Sequence, residues 1–185
     1  PYKPNSPYSA SKASSDHLVR AWHSTYSFPS IITNCSNNYG PWQFPDKLIP
    51  VIINNALNKE KIPIYGKGEN IRDWLFVEDH IRALILIALN GNVGGNYCIG
   101  SGQEKTNLEI AMDICQILDK YYPHNKPHKQ LIDFTVDRLG HDYRYSIDST
   151  FINNEIGWRP KFNFDEGLKS TVDWYINNKN MQTKE

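Results

Sequence analysis

Cysteine is scarce and unpaired in this sequence: three residues, Cys35, Cys98 and Cys115, each in an apolar stretch. An odd number without disulfide or metal-ligand spacing excludes a cystine framework and a zinc knuckle, and reads as three reduced thiols acting as small hydrophobes in a cytoplasmic setting. Neither sign of charge is in excess, with 20 Lys+Arg against 20 Asp+Glu. No basic field therefore points to nucleic acid or an anionic membrane, and an anionic ligand has to be held by local groups. Long apolar runs are missing too. The longest, Ala83 to Leu89, falls far short of the ~18 residues that span a bilayer, and the first residues lack the basic-then-apolar pattern of a secretory signal. There is no repeat or low-complexity tract, and the 12% aromatic content is high for a disordered chain. An initiator methionine is also lacking. Pro1-Tyr-Lys-Pro-Asn-Ser-Pro7 opens inside a proline-rich loop, so the expectation is an incomplete piece of a longer chain. The 185 residues are nonetheless enough to bury roughly 70% of the unfolded surface, and the pattern is that of a packed α/β protein.

From Tyr8 a run rich in small residues predicts a closely packed helix ending before Phe28-Pro29. Ser30 to Cys35 predicts a strand, and Ser36-Asn-Asn-Tyr-Gly-Pro41 a set of turn formers at its end, the place where open α/β sheets bind ligands. Pro45 suits the first turn of a helix carrying Leu48, Ile49, Ile52, Ile53 and Leu57, which Pro50 should bend or shorten. Two short strands across a glycine turn are predicted at 62–68 and 71–77, then a helix capped by Asp79 and running to Asn90. Further strands follow at 96–100, 130–136 and 145–148. Thr106-x-x-Glu109 is a capping box for an amphipathic helix, Asp148 suits the start of a short helix stopped by Gly157, and 164–178 forms the last helix.

Tyr8-x-x-x-Lys12 sets a phenol and an ammonium on one helical face. A free phenol, with pKa about 10, is a poor base at neutral pH, but a cation within a few ångströms lowers it by about one to three units, so that tyrosinate can take a hydroxyl proton as hydride leaves the same carbon. The motif alone is weak, since Tyr122-x-x-x-Lys126 and Tyr175-x-x-x-Lys179 match it too. Pro123 spoils helical geometry at the second, and the third lies at a fraying helix end. His124 and His128 are spaced like helical metal ligands, but Pro123 and Pro127 deny them a helix and no carboxylate or cysteine completes a set, so no metal is expected. Leu18, Trp22 and the apolar stripe of 79–90 read as core or as a packing face.

The runs Ser6-Pro-Tyr-Ser-Ala-Ser-Lys12, Asn34-Cys-Ser-Asn-Asn-Tyr-Gly-Pro41, Lys47-Leu-Ile-Pro50, Pro63-Ile-Tyr-Gly-Lys-Gly68, Ile71-Arg-Asp-Trp74, Val77-Glu-Asp-His80 and Asp137-Arg-x-Gly-His-Asp142 together resemble the dTDP-glucose 4,6-dehydratase family of the extended short-chain dehydrogenase/reductases. The resemblance spans nearly the whole chain. It implies the C-terminal part of an NAD-binding Rossmann domain plus a smaller α/β nucleotide-sugar-binding domain. Residues 1–44 would carry the Tyr-Lys helix and the following strand, 45–72 a substrate-domain segment, 73–95 a return to the Rossmann domain, and 96–185 mainly the substrate-binding domain.

The resemblance also implies the activity: dTDP-glucose is dehydrated to dTDP-4-dehydro-6-deoxyglucose through transient reduction of NAD, usually toward rhamnose-type sugars. By it Tyr8 is the base for the sugar C4 hydroxyl, Lys12 tunes it and holds the nicotinamide ribose, and Asn38 borders the nicotinamide. Substrate contacts are implied for Asn37, Lys47, Leu48, Pro63, Ile64, Tyr65, Arg72, Asn107, Asp137, Arg138, Leu139, Gly140 and His141. For Arg72 the alternative is a salt bridge with Asp73 or Glu78, for Tyr65 a space-filling role, and for His141 mere solvation. At Asn107 the helix N-terminus could share an anion between side chain and backbone, or the residue could be a plain cap.

Two parts of the family pattern have no match in the sequence: a glycine-rich pyrophosphate loop and the carboxylates that drive loss of water. The chain alone is therefore expected neither to bind NAD tightly nor to turn over, and the helix from Tyr8 and strand from Ser30 to present apolar faces to water. A homodimer is expected of the complete enzyme. The competing readings are another nucleotide-sugar epimerase or decarboxylase of the same family, and a non-catalytic, free-standing half.

Overall fold

A computed structural model describes residues 3–178. Pro1, Tyr2 and Lys179, the last being one half of the third Tyr-x-x-x-Lys match, lie outside the described residues. The first helix, α1, spans Pro7–Tyr26: Pro7 stands at its first position, Ser6 caps it by accepting from the Ser9 N–H, and Ser27 ends it in the left-handed region. The chain then forms β1, Ile32–Cys35, and β2, Asn37–Tyr39. Here the sequence reading needs correction, because 37–39 is not a turn. The backbone stays extended and changes partner, so hydrogen bonding to a distant strand overrides the turn propensity of the two asparagines.

Helix α2, Leu48–Asn58, starts later than Pro45 suggested. Pro50 falls in its first turn, where the missing N–H would have had no intrahelical acceptor, and so neither bends nor shortens it. Next come β3, Ile62–Tyr65; β4, Ile71–Phe76; α3, Val77–Asn90; β5, Asn96–Ile99; and β6, Glu104–Thr106, a strand with no strong local signal. Helix α4, Asn107–Tyr121, carries the predicted capping box, with both the Thr106 and Glu109 bonds formed. A 3-10 turn, His128–Leu131, leads into β7, Ile132–Thr135, followed by β8, Arg144–Tyr145. The chain closes with α5, Thr150–Ile156, which ends at a left-handed Gly157, and α6, Phe164–Asn177, capped by Asn163 and Glu166.

β3 and β4 do not pair across their glycine turn, contrary to the sequence reading. β3 pairs with β7 in parallel, β1 with β5 in parallel, and β4 with β2, β6 and β8. Two cores result. One joins α2, β3, α4 and α6 with Tyr39, Trp74 and Phe76; the other joins α3, β5 and α5 with Leu75 and Trp158. Alternation along β4 sends Trp74 and Phe76 one way and Leu75 the other, so one strand walls both cores. β5 and α5, both within the 96–185 stretch expected to be mainly substrate-binding, pack beside β1 and α3.

Asp79 does not cap α3. It lies buried in the first turn and accepts from the N–H groups of Lys161 and Phe162 and from Arg82, fastening the segment that enters α6. Leu18 and Trp22 are not core within this chain, since α1 has no buried residue and exposes Leu18 (61%), Trp22 (56%) and Tyr26 (67%). On α3 only Ala83 and Ile87 of the apolar stripe are buried, while Leu84, Ile85 and Leu89 face outward. No helix of the described residues is long and apolar enough to cross a membrane.

Candidate functional site

A cleft of about 470 Å³ opens where the N-terminus of α2 meets the edges of β3 and β4. Lys47 and Leu48 enter it from α2, and Val51 follows one turn later on the same face. Alternation along β3 brings Pro63 and Tyr65 into the cleft and sends Ile64 into the core. The Ile64 side chain is therefore withdrawn from the ligand contact that the resemblance implied. Arg72 and Trp74 line the cleft from β4, Asn37 from β2 and Asn107 from α4, while Arg138 and His141 close it from the turn after β7.

The polar groups are held before any ligand arrives. Arg72 makes no salt bridge with Asp73 or Glu78. Its guanidinium donates to the carbonyls of Ile71 at 2.6 Å and Asp142 at 2.7 Å, while Asp73 is turned inward to accept from Ser101 and Gln103. Burial lowers the Arg72 pKa from its usual value and nearby Asp142 pulls it back up. The Arg138 guanidinium lies 4.4 Å from the centre of the Tyr65 ring, a cation over an aromatic face. His141 is not merely solvated, because its Nδ1 pairs with Asp137 at 2.8 Å. That bond, with one from the Arg138 N–H, holds the Asp137 carboxyl below its usual range. Asp137 is thus tied into the turn, and Asp137, Leu139 and Gly140 are not among the residues that line the cleft.

The two helix N-termini at the cleft differ. At α4 the Thr106 and Glu109 N–H groups are taken by the capping box, and those of Asn107 and Leu108 donate to the carbonyls of Asn70 and Gly68. Its backbone has no free donor for an anion, so Asn107 contributes its side chain alone; Thr106 is the cap. Gly68, left-handed at φ +72, makes this approach possible, because a Cβ there would lie 2.9 Å from that of Leu108. Helix α2 begins without a side-chain cap, at the point where Lys47 stands. Its open end adds a positive dipole to the cations of the cleft. Lys47 pairs with Asp46 at 3.1 Å.

Asp46, Val51 and Trp74 also line the cleft and were not singled out from sequence. Val51 was within reach of it, lying one helical turn beyond Lys47. Trp74 and Asp46 each adjoin or share a motif with a residue that was named, but nothing local says which way they point.

Tyr8 and Lys12 stand one turn apart on α1, both exposed, Tyr8 at 75%. They do not line the cleft. The link is the β1–β2 strand: Asn34 on β1 donates to Asp16 of α1 at 2.9 Å, and the same strand delivers Asn37 to the cleft and Asn38 beside it. Asn38 Nδ2 is held by Cys35 Sγ at 3.1 Å and the Ser36 carbonyl at 3.2 Å, while its Oδ1 is buried without a partner. An unmet amide acceptor on the β1–β2 strand that α1 packs against, and a phenol and an ammonium exposed on that helix, are groups of the kind that hold the amide and ribose of a nicotinamide nucleotide. No described segment has a glycine-rich strand-to-helix turn for its pyrophosphate. No group of three or more His, Cys, Asp or Glu among the described residues could hold a metal ion.

The family model described as GDP-mannose 4,6 dehydratase matches residues 1–171. The chain is 54% identical, over 179 residues, to a dTDP-glucose 4,6-dehydratase of Shigella flexneri, covering 97% of this chain and 50% of that protein. It spans about half the length of the curated relatives it matches. The dTDP-glucose 4,6-dehydratase of Streptomyces venezuelae, solved with NAD bound, has a TM-score of 0.93 at 42% identity, over 99% of this chain and 55% of that one. The enzyme of the same name from Bacillus anthracis, in complex with NAD, has a TM-score of 0.89 at 46% identity, over 97% and 55%.

Proposed function

Because the chain belongs to the GDP-mannose 4,6 dehydratase family, we propose that it supplies the substrate cleft and the Tyr-Lys pair of a dTDP-glucose 4,6-dehydratase. The observation that carries this reading is the cleft itself. It gathers Asn37, Lys47, Arg72, Asn107, Arg138 and His141 around the Tyr65 ring, which suits a ligand with an anionic centre and a flat base. Arg72 and Lys47 meet the diphosphate, and the stacked Tyr65–Arg138 pair lies against the thymine.

Tyr8 takes the proton of the sugar C4 hydroxyl, and Lys12, one turn along the same face, supplies the neighbouring cation that favours the phenolate. When bound, NAD supplies a reversible hydride acceptor at that carbon. Asn38 borders it, with its Oδ1 unpartnered. In this reading the second core, with α1, β1, β5 and α3, belongs to the cofactor-binding part, and the first core forms the substrate part. The exposed face of α1 pairs two copies, and the three free thiols fit a cytoplasmic enzyme.

Calorimetric titration of dTDP and UDP into the protein, with an assay for dTDP-4-dehydro-6-deoxyglucose, tests this. dTDP should bind more tightly, and residues 1–185 alone should bind it without releasing product. Preference for UDP would move the assignment to an epimerase or decarboxylase, and no nucleotide binding would leave a non-catalytic half.

A further inference from the structure

Four buried side-chain atoms have no hydrogen-bond partner among the described residues: Ser36 Oγ, Asn38 Oδ1, Gln43 Oε1 and Asp73 Oδ2. Three of them fall in one stretch, 36–43, which leaves the sheet at β2 and turns toward α2. Gln43 organises that stretch. Its Nε2 donates to the Asn38 carbonyl at 2.8 Å, and its own carbonyl accepts from the Tyr175 hydroxyl at 2.6 Å. Tyr175 is buried in the first core on α6, so the tether ends on a fixed point.

The backbone before Gln43 is unusual as well. Trp42 adopts φ +63, in the left-handed region that bulky side chains rarely enter. Its ring lies against Trp174 of α6, centroids 5.0 Å apart, which holds the turn. Strain of this kind persists only where the surroundings over-determine it, and it concentrates at functional sites. Here it swings Gln43 back over Asn38. The Asn38 backbone carbonyl is held by Gln43 and its side-chain nitrogen by Cys35 and Ser36, while Oδ1 is buried with no partner among the described residues.

We infer that Gln43 is a positioning residue that fixes the Asn38 peptide, with Tyr175 and the Trp42 turn as its supports. The inference rests on the reading that Asn38 borders the bound cofactor. The Nε2 hydrogen bond stops the 38 peptide from rotating, and a small misplacement at a hydride-transfer site lowers turnover steeply.

The test compares the natural full-length enzyme that carries this chain with its Gln43→Met, Gln43→Glu and Tyr175→Phe variants in steady-state assays with dTDP-glucose across pH, with thermal midpoints alongside. Gln43→Met keeps the shape and removes the donor. It should lower kcat about tenfold and leave KM nearly unchanged. Gln43→Glu can donate to the Asn38 carbonyl only while its carboxyl is protonated, so its kcat relative to natural protein should rise as pH falls, and the Met variant's should not. Tyr175→Phe should lose turnover in the same direction but less. Unchanged kcat in Gln43→Met overturns the inference. So does an equal, pH-independent loss in both Gln43 variants with lowered midpoints, which is the signature of a merely structural residue. Natural protein inactive on dTDP-glucose would instead sink the dehydratase reading, and the inference with it.

Discussion

Arg72 donates to backbone carbonyls on both sides of the cleft edge and forms no ion pair among the described residues, so its charge is oriented but not neutralised. A lysine in its place would keep the charge and lose the planar fork. Arg72→Lys should weaken dTDP binding roughly tenfold by calorimetry with little change in thermal midpoint; unchanged affinity would remove the diphosphate role. At this scale sequence reading named most of the cleft and erred on direction. Residue type tells which groups can bind, but whether Ile64 or its neighbours face a ligand depends on strand alternation against a core, and whether the α4 N–H groups are free depends on where Asn70 and Gly68 arrive.

Elements closed by their own hydrogen bonds were the legible ones. The α4 capping box is read from Thr106 and Glu109 because donor and acceptor sit three residues apart, and Gly157 stops α5 by its own left-handed conformation. β2 and β6 were not legible, since their partners lie far along the chain and neither segment has strand-like composition. Thr106→Val should remove the cap and cost about 1 kcal/mol, read as a lower denaturation midpoint. It should also loosen Asn107 and so weaken dTDP binding modestly. A midpoint unchanged within error would mean that tertiary contacts alone set the start of α4.

In the molecule as a whole, α1 alone among the α-helices of the described residues has no buried residue, and it carries Leu18, Trp22 and Tyr26 in the open. Scattered exposed hydrophobes are ordinary, but a run of them on one helix marks a contact surface. Leu18→Ser with Trp22→Ser should reduce self-association in sedimentation and shift folding stability by no more than about 0.5 kcal/mol. Persistent dimers would place the contact elsewhere. The fold class was legible from periodicity and a two-part division was expected from the resemblance, whereas that a single strand, β4, feeds both cores was not legible.

That strand, β4, has a consequence for how motion travels. Arg72 grips the ligand cleft, Trp74 and Phe76 belong to one core, and Leu75 belongs to the other. A party wall cannot be pushed from one room without being felt in the next. Anything that stiffens Arg72 should slow hydrogen exchange in α3 and α5 as well as around the cleft, so the two cores breathe together and an occupied cleft is reported at a distance.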